Sequence, residues 1–350
     1  MPRIVALGTA VPPFCFDQKE IQHSARQHFS KNLIETERLL SVFNSVQVRR
    51  RFFCVPLEWF SHDHSFSEKN QEYIRWAERL SLEAIECCLC QAGVSPNDVD
   101  HLVFISSSGM STPSIDARIM NRLDMSHNTR RTPIFGLGCA GGAVGLARCC
   151  DLAKGAPEQL ILLVATEISS LTFQSKDYDK SNFVASALFS DGAAAALVCG
   201  DACPQTGIEL LDSLSTLWPE TLDVMGWDFS ETGLSVVFSR NIPNLIKKHV
   251  HSNIEQFLRR NQISLEDIVH YAIHPGGAKI LSVLQRSLDL EGAKLKSSAF
   301  VLKNYGNMSS ATVLFILKHL IQESSPGKED YGLCAAFGPG FSSELLLLRW

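Results

Sequence analysis

Cys139 stands in a setting that suits a nucleophile. It follows a short apolar run at residues 133–135, is flanked by Gly138 and Gly141, and precedes a predicted helix of small residues. A helix N-terminus favours negative charge, so a thiol placed there is favoured as the thiolate. Free cysteine ionises near pH ~8.5, and such a position lowers that value by several units. The glycines let a substrate carbonyl approach the backbone closely. The segment predicts covalent chemistry on a thiol.

An internal repeat indicates where the partners of this thiol lie. Residues 95–105 (SPNDVDHLVFI) resemble residues 264–274 (SLEDIVHYAIH), and residues 138–143 (GCAGGA) resemble residues 306–311 (GNMSSA). The two matches keep nearly the same register, with 41 positions from Asp98 to Cys139 in the first copy. In the second copy, 40 positions separate Asp267 from Asn307. We expect two similar halves that meet face to face, which predicts a cluster of Cys139, His274 and Asn307.

The elements that must position this cluster follow an α/β pattern, in which apolar runs alternate with helical periodicity. Predicted strands cover residues 3–7, 102–106, 133–136, 159–165, 193–199, 271–274, 332–337 and 343–348. Predicted helices cover residues 71–92, 114–123, 143–154, 241–260, 278–288 and 310–322.

The composition of the chain excludes several classes of function. The 350 residues are 45% hydrophobic with a net charge of −5, which argues against disorder and against a general nucleic-acid binder. No apolar run reaches the ~18 residues that span a membrane. The 11 cysteines and the absence of a secretory segment indicate free thiols in a reducing cytoplasm. Cys87, Cys88 and Cys90 lack paired ligand spacing, so we interpret them as helix packing and predict no metal site.

Five motifs occur in the order seen in type III polyketide synthases, the chalcone synthase-like branch of the thiolase superfamily. They are residues 137–142 (LGCAGG), 187–195 (ALFSDGAAA), 274–277 (HPGG), 305–310 (YGNMSS) and 337–341 (FGPGF). The chain resembles this family from its first strand to its last residues. The resemblance implies a five-layered αβαβα thiolase fold made of two duplicated halves. Residues 1–205 would carry the nucleophilic cysteine, and residues 206–350 the histidine and asparagine.

The resemblance also implies roles for the cluster. Cys139 matches the nucleophile that carries the starter and then the growing chain as thioesters. His274 matches the histidine that holds this thiolate and donates to the thioester oxygen, and Asn307 matches a second donor. Phe189 matches a phenylalanine at the mouth of the cavity. Decarboxylation of a malonyl thioester gives an enolate, which fixed donors in a dry site stabilise. The enolate then attacks the acyl-Cys139 thioester, so no external base and no cofactor are needed.

Other positions align with the walls of the family's cavity. Val236 stands where plant enzymes have a second mouth phenylalanine, which predicts a wider entrance, and Trp227 stands where they have glycine. Thr112 aligns with a methionine that plant enzymes pass into the neighbouring subunit. The remaining expected contacts with substrate are Ser107, Ser108, Ser169, Leu171, Thr172, Ser309, Gly338, Pro339 and Gly340. Thiolase-type folds are usually homodimers, and the resemblance implies a homodimer here.

The resemblance implies the residues that bind coenzyme A less directly than it implies the cluster. The basic residues of plant members have no counterparts at Ser41 and Ser45. We name Gly276 and Gly277 as contacts, together with the basic run Arg49, Arg50 and Arg51, for which a structural role is an equal alternative. An acyl carrier protein as starter donor stays open.

The working hypothesis is a condensing enzyme that loads an acyl starter, of fatty acyl type, and extends it with malonyl-CoA. Similar bacterial members make alkylpyrones or alkylresorcinols, so we expect a pyrone or resorcinol product. One alternative is a β-ketoacyl-ACP synthase III-like enzyme with a single condensation. Another is a dinucleotide site, because Gly136, Gly138 and Gly141 fit Gly-x-Gly-x-x-Gly. A third is a thiolase-fold scaffold without activity.

Overall fold

The structure, a computed structural model, describes residues 1–28, 37 and 39–350. The strands are β1 (Arg3–Ala10), β2 (Phe14–Asp17), β3 (Arg50–Phe53), β4 (His101–Ile105), β5 (Arg130–Ile134), β6 (Leu160–Ile168), β7 (Asp191–Cys199), β8 (Ile208–Leu217), β9 (Met225–Ser230), β10 (Gly233–Phe238), β11 (Ile268–Ile273), β12 (Tyr331–Gly338) and β13 (Ser342–Arg349). The helices are α1 (Gln18–His28), α2 (Val42–Ser45), α3 (Phe66–Ala92), α4 (Ile115–Arg122), α5 (Gly141–Gly155), α6 (Lys180–Leu188), α7 (Ile242–Arg260), α8 (Ala278–Ser287), α9 (Lys296–Tyr305) and α10 (Thr312–Ser324).

Within these described ranges, nine strands form one mixed sheet in the order β11-β12-β13-β8-β1-β7-β6-β4-β5. Strands β4, β5 and β6 run parallel to one another, as do β11 and β12, and the other pairs are antiparallel. The two halves of the sheet join only through β1 and β8, where Arg3 pairs with Glu209 and Ile4 with Ile208. The predicted boundary after residue 205 lies in the connection between β7 and β8.

The layers follow from which helix covers which strand. Helices α5 and α10 contact strands of both halves, so the sheet folds around them, with α3 outside one half and α7 outside the other. A central apolar core lies around α5 and α10, and two outer cores lie beneath α3 and α7. Strands β6 and β7 are buried on both faces, which explains their continuous apolar sequences. The predicted five-layered α/β arrangement is confirmed.

Helix α3 shows how sequence sets an outer layer. A capping box between Ser65 and Glu68 starts the helix, and Gly93 ends it in the left-handed conformation. Its buried face packs against β1, and a Cβ on Gly8 would lie 2.0 Å from the Ala84 carbonyl oxygen. The cysteine group lies on this helix: Cys88 is buried there, and its two neighbours at 87 and 90 are exposed. The described residues contain no group of three or more His, Cys, Asp or Glu side chains arranged to hold a metal ion.

The predicted internal repeat has a structural counterpart in both halves. Ser95 and Ser264 donate their backbone N–H groups to the Asp98 and Asp267 carboxylates, 3.2 and 2.7 Å away, just before β4 and β11. Each half then presents a short 3₁₀ turn, Gly138–Ala140 or Ser309–Ala311, that leads directly into α5 or α10. The repeat therefore brings two equivalent turns to the central layer.

A smaller unit flanks the first half and carries elements that the sequence did not predict. Helices α1, α2 and α6 pack with β3 around a fourth apolar cluster, and among the described residues β9 pairs only with β10.

Every predicted strand and helix is present with ends shifted by a few residues. The elements missed were α1, α2, α6, α9, β2, β3 and β8–β10. No helix among the described residues is long and apolar enough to cross a bilayer.

Candidate active site

Cys139 lies in the 3₁₀ turn that precedes α5 and is 9% exposed. The backbone N–H of Gly138 donates to the Ser107 hydroxyl over 3.0 Å, which fixes the turn from the end of β4. The Cys139 thiol lies 4.0 Å from the Asn307 carboxamide oxygen, across the boundary between the two halves. The structure thus brings together the thiol and the asparagine that the repeat predicted to be neighbours.

The loop after β12 rests directly on the cysteine turn. A Cβ on Gly338 would lie 2.6 Å from the Ala140 Cβ and 2.7 Å from the Leu137 carbonyl oxygen, distances at which real atoms clash. Gly138 has a φ of 45°, and a Cβ there would lie 2.9 Å from the Pro339 ring. Gly338 of the Gly-Pro-Gly motif therefore allows the two halves to pack closely, and Gly340 completes the turn at φ 65°.

The Asn307 carboxamide has a fixed orientation. Its Nδ2 donates to the Gly276 carbonyl oxygen over 3.0 Å, and its Oδ1 accepts from the Ser309 backbone N–H over 2.8 Å. Its backbone N–H donates to the Leu188 carbonyl, and its carbonyl accepts from the Ser190 N–H, both over 2.9 Å. Because a carboxamide nitrogen carries two hydrogens, one N–H remains for a substrate oxygen. Gly276, predicted as a coenzyme A contact, serves here as an anchor for Asn307.

His274 directly follows β11 and is 2% exposed. Its backbone N–H donates to the Ala335 carbonyl over 2.8 Å, whereas neither ring nitrogen has a hydrogen-bond partner in the part of the chain that the structure describes. Burial lowers the pKa of His274 to about 3. A buried neutral imidazole with two unpaired nitrogens has one N–H to donate to a substrate oxygen and one nitrogen that can accept.

The position of Cys139 before a helix does not by itself ionise the thiol. Burial raises the pKa of Cys139 to about 11, and its hydrogen bonds with Ser309 and Asn307 only partly offset this rise. As isolated groups, both Cys139 and His274 are therefore favoured in their neutral forms. Transfer of the thiol proton to the imidazole creates no net charge, so a thiolate–imidazolium pair requires that the attraction between its two charges exceed the hydration that both groups lose.

Phe189 stands beside Asn307, with which it forms a short parallel bridge. Its ring centroid lies 5.8 Å from those of both Trp227 and Phe238. Trp227 and Val236 face each other across the β9–β10 pairing. The two predicted mouth residues, Phe189 and Val236, and the predicted cavity residue Trp227 are therefore brought together.

A mainly apolar cavity of about 60 Å³, partly open to solvent, extends from Phe189 and Val236 between α1 and α6. It includes the predicted Ser169 and Thr172, and its apolar wall is made by Ile21, Ala25, Phe53, Leu57, Phe60 and Phe173. A much smaller cavity of about 10 Å³ is lined by the predicted Ser108 and Leu171.

Two of the residues named as possible binding contacts do not take that position in this subunit, and for Arg51 the structural alternative applies. Arg51, expected to meet coenzyme A phosphates, is 1% exposed and packed between the rings of Phe43 and Phe53, because β3 turns alternate side chains inward. Thr112, expected at the cavity, is exposed on a loop before α4 and lines none of the cavities described above. Arg49 and Arg50 are exposed, as a phosphate contact requires.

Glu167 is a residue that the sequence analysis missed as a site component. Its carboxylate accepts from the Ser310 hydroxyl over 2.6 Å and from the Ser107 N–H over 3.0 Å. Burial raises the pKa of Glu167 to about 7, and its charge raises the pKa of Cys139. The sequence signal that could have identified it is an acidic residue within the continuous, fully buried run of β6.

Comparison with known proteins agrees with this geometry. The family described as chalcone and stilbene synthases matches through its N-terminal domain over residues 2–202 and its C-terminal domain over residues 209–350. A Bacillus subtilis (strain 168) protein named "Putative chalcone synthase" is 42% identical over 100% of this chain and 99% of its own. The 1,3,6,8-tetrahydroxynaphthalene synthase of Streptomyces peucetius subsp. caesius is 34% identical over 99% of this chain and 93% of its own. The crystal structure of the same-named enzyme of Streptomyces coelicolor A3(2), described as a bacterial type III polyketide synthase, superposes with a TM-score of 0.94 at 28% identity and 99% coverage of both chains.

Proposed function

Because this chain belongs to the chalcone and stilbene synthase family of type III polyketide synthases, we propose that Cys139 accepts an acyl starter from acyl-CoA and that malonyl-CoA extends it. The observation that supports the proposal is the contact of the Cys139 thiol with the fixed carboxamide of Asn307, together with a buried His274 whose ring has no hydrogen-bond partner among the described residues. We propose that residues 1–205 deliver the nucleophile and residues 206–350 the two donors.

Loading is a thioester exchange. His274 takes the thiol proton as Cys139 attacks the acyl carbonyl, and the coenzyme A sulfur leaves and recovers that proton as free thiol. The S–C bond to coenzyme A breaks as the S–C bond to Cys139 forms. The free N–H of Asn307 and the imidazolium N–H of His274 stabilise the oxyanion between these steps.

Extension begins when the malonyl group loses carbon dioxide. The electron pair of the broken C–C bond becomes an enolate, and its oxygen accepts hydrogen bonds from His274 and Asn307. The apolar ring of Phe189 disfavours a hydrated carboxylate and so favours its loss. The enolate carbon then attacks the acyl-Cys139 carbonyl and displaces the thiolate. Since decarboxylation itself supplies the carbanion, we propose that no bound cofactor takes part.

We propose a fatty acyl starter and a pyrone or resorcinol product. The support is the apolar wall between α1 and α6, to which Val236 gives a wider entrance than a phenylalanine would. Burying a methylene contributes about 0.8 kcal/mol, so a few methylenes on this wall outweigh the loss of chain freedom on binding. A homodimer and a reducing compartment also remain part of the proposal, the latter because all eleven cysteines are free.

The test is a panel of starters. Purified protein is incubated with acetyl-, hexanoyl-, decanoyl- and palmitoyl-CoA and labelled malonyl-CoA, and products are identified by mass. We expect products with two or more extensions, made fastest with long starters. Use of acetyl or malonyl starters alone would refute the fatty starter, and a product with a single extension would refute iterative synthesis. Repeating the panel with the acyl groups on an acyl carrier protein identifies the donor.

A further inference from the structure

Arg51 is a buried cation without an ionic partner. Its Nη1 donates to the Phe189 carbonyl oxygen over 2.9 Å and its Nε to the Gln18 side-chain oxygen over 3.0 Å. Among the described residues, no carboxylate lies within ion-pairing distance of it. Burial lowers the pKa of Arg51 to about 9, although the Asp191 carboxylate counteracts this, and the guanidinium stays charged at neutral pH. Burying an unpaired charge is costly, so the hydrogen bonds it makes have to be strong.

The contacts of Arg51 converge on the segment that carries Phe189 and on Gly306, the residue before Asn307. Gln18, which holds Arg51, also donates its Nε2 to the Ala187 carbonyl over 2.8 Å. A Cβ on Gly306 would lie 2.9 Å from the Arg51 Cγ, so the arginine stem fills the space beside the residue that precedes Asn307. Arg51 therefore supports both sides of the short bridge between Phe189 and Asn307.

The Cys139 turn has different supports. Ser107 holds it through the Gly138 N–H, and the Gly-Pro-Gly loop packs on it from the second half. Arg51 has no hydrogen bond to that turn. Loss of Arg51 should therefore displace Phe189 and Asn307 while leaving the thiol in place.

We propose that Arg51, held by Gln18, is a positioning residue for the decarboxylation step, because it fixes Phe189 and Asn307 against each other. This rests on the proposed function, in which those two residues act on the malonyl group. A displacement of about 1 Å in a reacting group can cost about 100-fold in rate. Starter transfer to Cys139, whose turn is supported separately, should be much less affected.

The experiment compares Arg51→Met, Arg51→Lys and Gln18→Leu with Arg349→Met. Arg349 is a half-buried strand arginine that donates to Glu209 over 2.9 Å. It is the last residue of β13, whose first residue, Ser342, follows the Gly-Pro-Gly loop. At the usual rise per residue of a strand, about 23 Å separate Arg349 from that loop. Acylation of Cys139 is counted by intact-protein mass, and carbon dioxide release from labelled malonyl-CoA is then expressed per acylatable site.

For Arg51→Met we expect wild-type acylation stoichiometry and carbon dioxide release per site lowered about 10- to 100-fold. In Arg51→Lys, which keeps the charge without the planar fork, and in Gln18→Leu, carbon dioxide release per site should also be lower, by about threefold or more. Arg349→Met should keep the wild-type rate per site even if its melting temperature falls.

Equal losses of acylation and decarboxylation in Arg51→Met, or an unchanged rate per site, would overturn the proposal. If Arg51→Met does not fold, Gln18→Leu decides, and a wild-type rate per site in that variant overturns it. Absence of carbon dioxide release from the wild-type protein would instead refute the proposed function.

Discussion

The two turns that meet at the active site are copies of one design with different chemistry. In both, a glycine with positive φ, Gly138 at 45° or Gly306 at 74°, directly precedes the candidate residue, and a 3₁₀ turn leads into a central helix. The first turn presents Cys139, whose side chain is held only weakly. The second presents Asn307, whose carboxamide is fixed by two hydrogen bonds. The backbones of the two turns are thus similar, and in the proposed mechanism one carries the acyl group while the other donates to the oxyanion.

Replacing the cysteine of the first turn should have the largest effect. In Cys139→Ala we expect acylation by acyl-CoA and all condensation products to disappear, because the covalent carrier is gone. Carbon dioxide release from malonyl-CoA should continue, since His274 and Asn307 remain. Intact-protein mass and labelled carbon dioxide measure the two activities, and residual acylation of the variant would show that another nucleophile carries the chain.

Replacing the asparagine of the second turn should give the converse pattern. Asn307→Ala removes a preorganised donor, and loss of one such donor lowers rates by about 100- to 1,000-fold. Decarboxylation and product formation should fall by that amount, while Cys139 still becomes acylated in a slower single turnover. Wild-type decarboxylation in this variant would contradict the division of roles between the turns.

A change at the contact between the halves should have a smaller, mainly geometric effect. Gly338→Ala adds a Cβ that would lie 2.7 Å from the Leu137 carbonyl oxygen, so the loop must shift at a cost of about 1–3 kcal/mol. We expect a lower melting temperature and product formation reduced at least about tenfold. Gly292→Ala is the matched control, because the nearest described atom to its Cβ would be the Gln285 Nε2, at 3.6 Å. Equal behaviour of both variants would show that the close packing has no role.

Much of this arrangement could be predicted from the sequence because it depends on strong periodic patterns and on the repeat. The buried runs of β6 and β7 and the amphipathic helices α3 and α7 are long enough for their period to show. Elements that depend on tertiary contacts were missed: β9 and β10 pair only with each other, and α6 is buried on several sides. These strands therefore show only weak alternation of apolar and polar residues, and the helix shows only weak helical periodicity.

Within the site, the sequence predicted the reacting residues better than their environment. The run Arg49, Arg50 and Arg51 looks uniformly basic, yet strand alternation turns only Arg51 inward, onto the same side as Phe53. The helix start beside Cys139 suggested a thiolate, whereas burial raises the pKa of the isolated thiol. Burial depends on which residues pack around a side chain in the fold, and the local sequence does not specify those residues.

The most direct test of the account is the rate at which iodoacetamide alkylates Cys139 as a function of pH, in the wild-type protein and in His274→Ala. The account predicts a thiolate–imidazolium pair, so the wild-type rate should level off below the pKa of ~8.5 of free cysteine. In His274→Ala the midpoint should rise by several units towards the pKa of about 11 that the buried thiol has without an ion pair, with alkylation at pH 7 correspondingly slower. Identical profiles for the two proteins would contradict the claim that residues from both halves form one catalytic group.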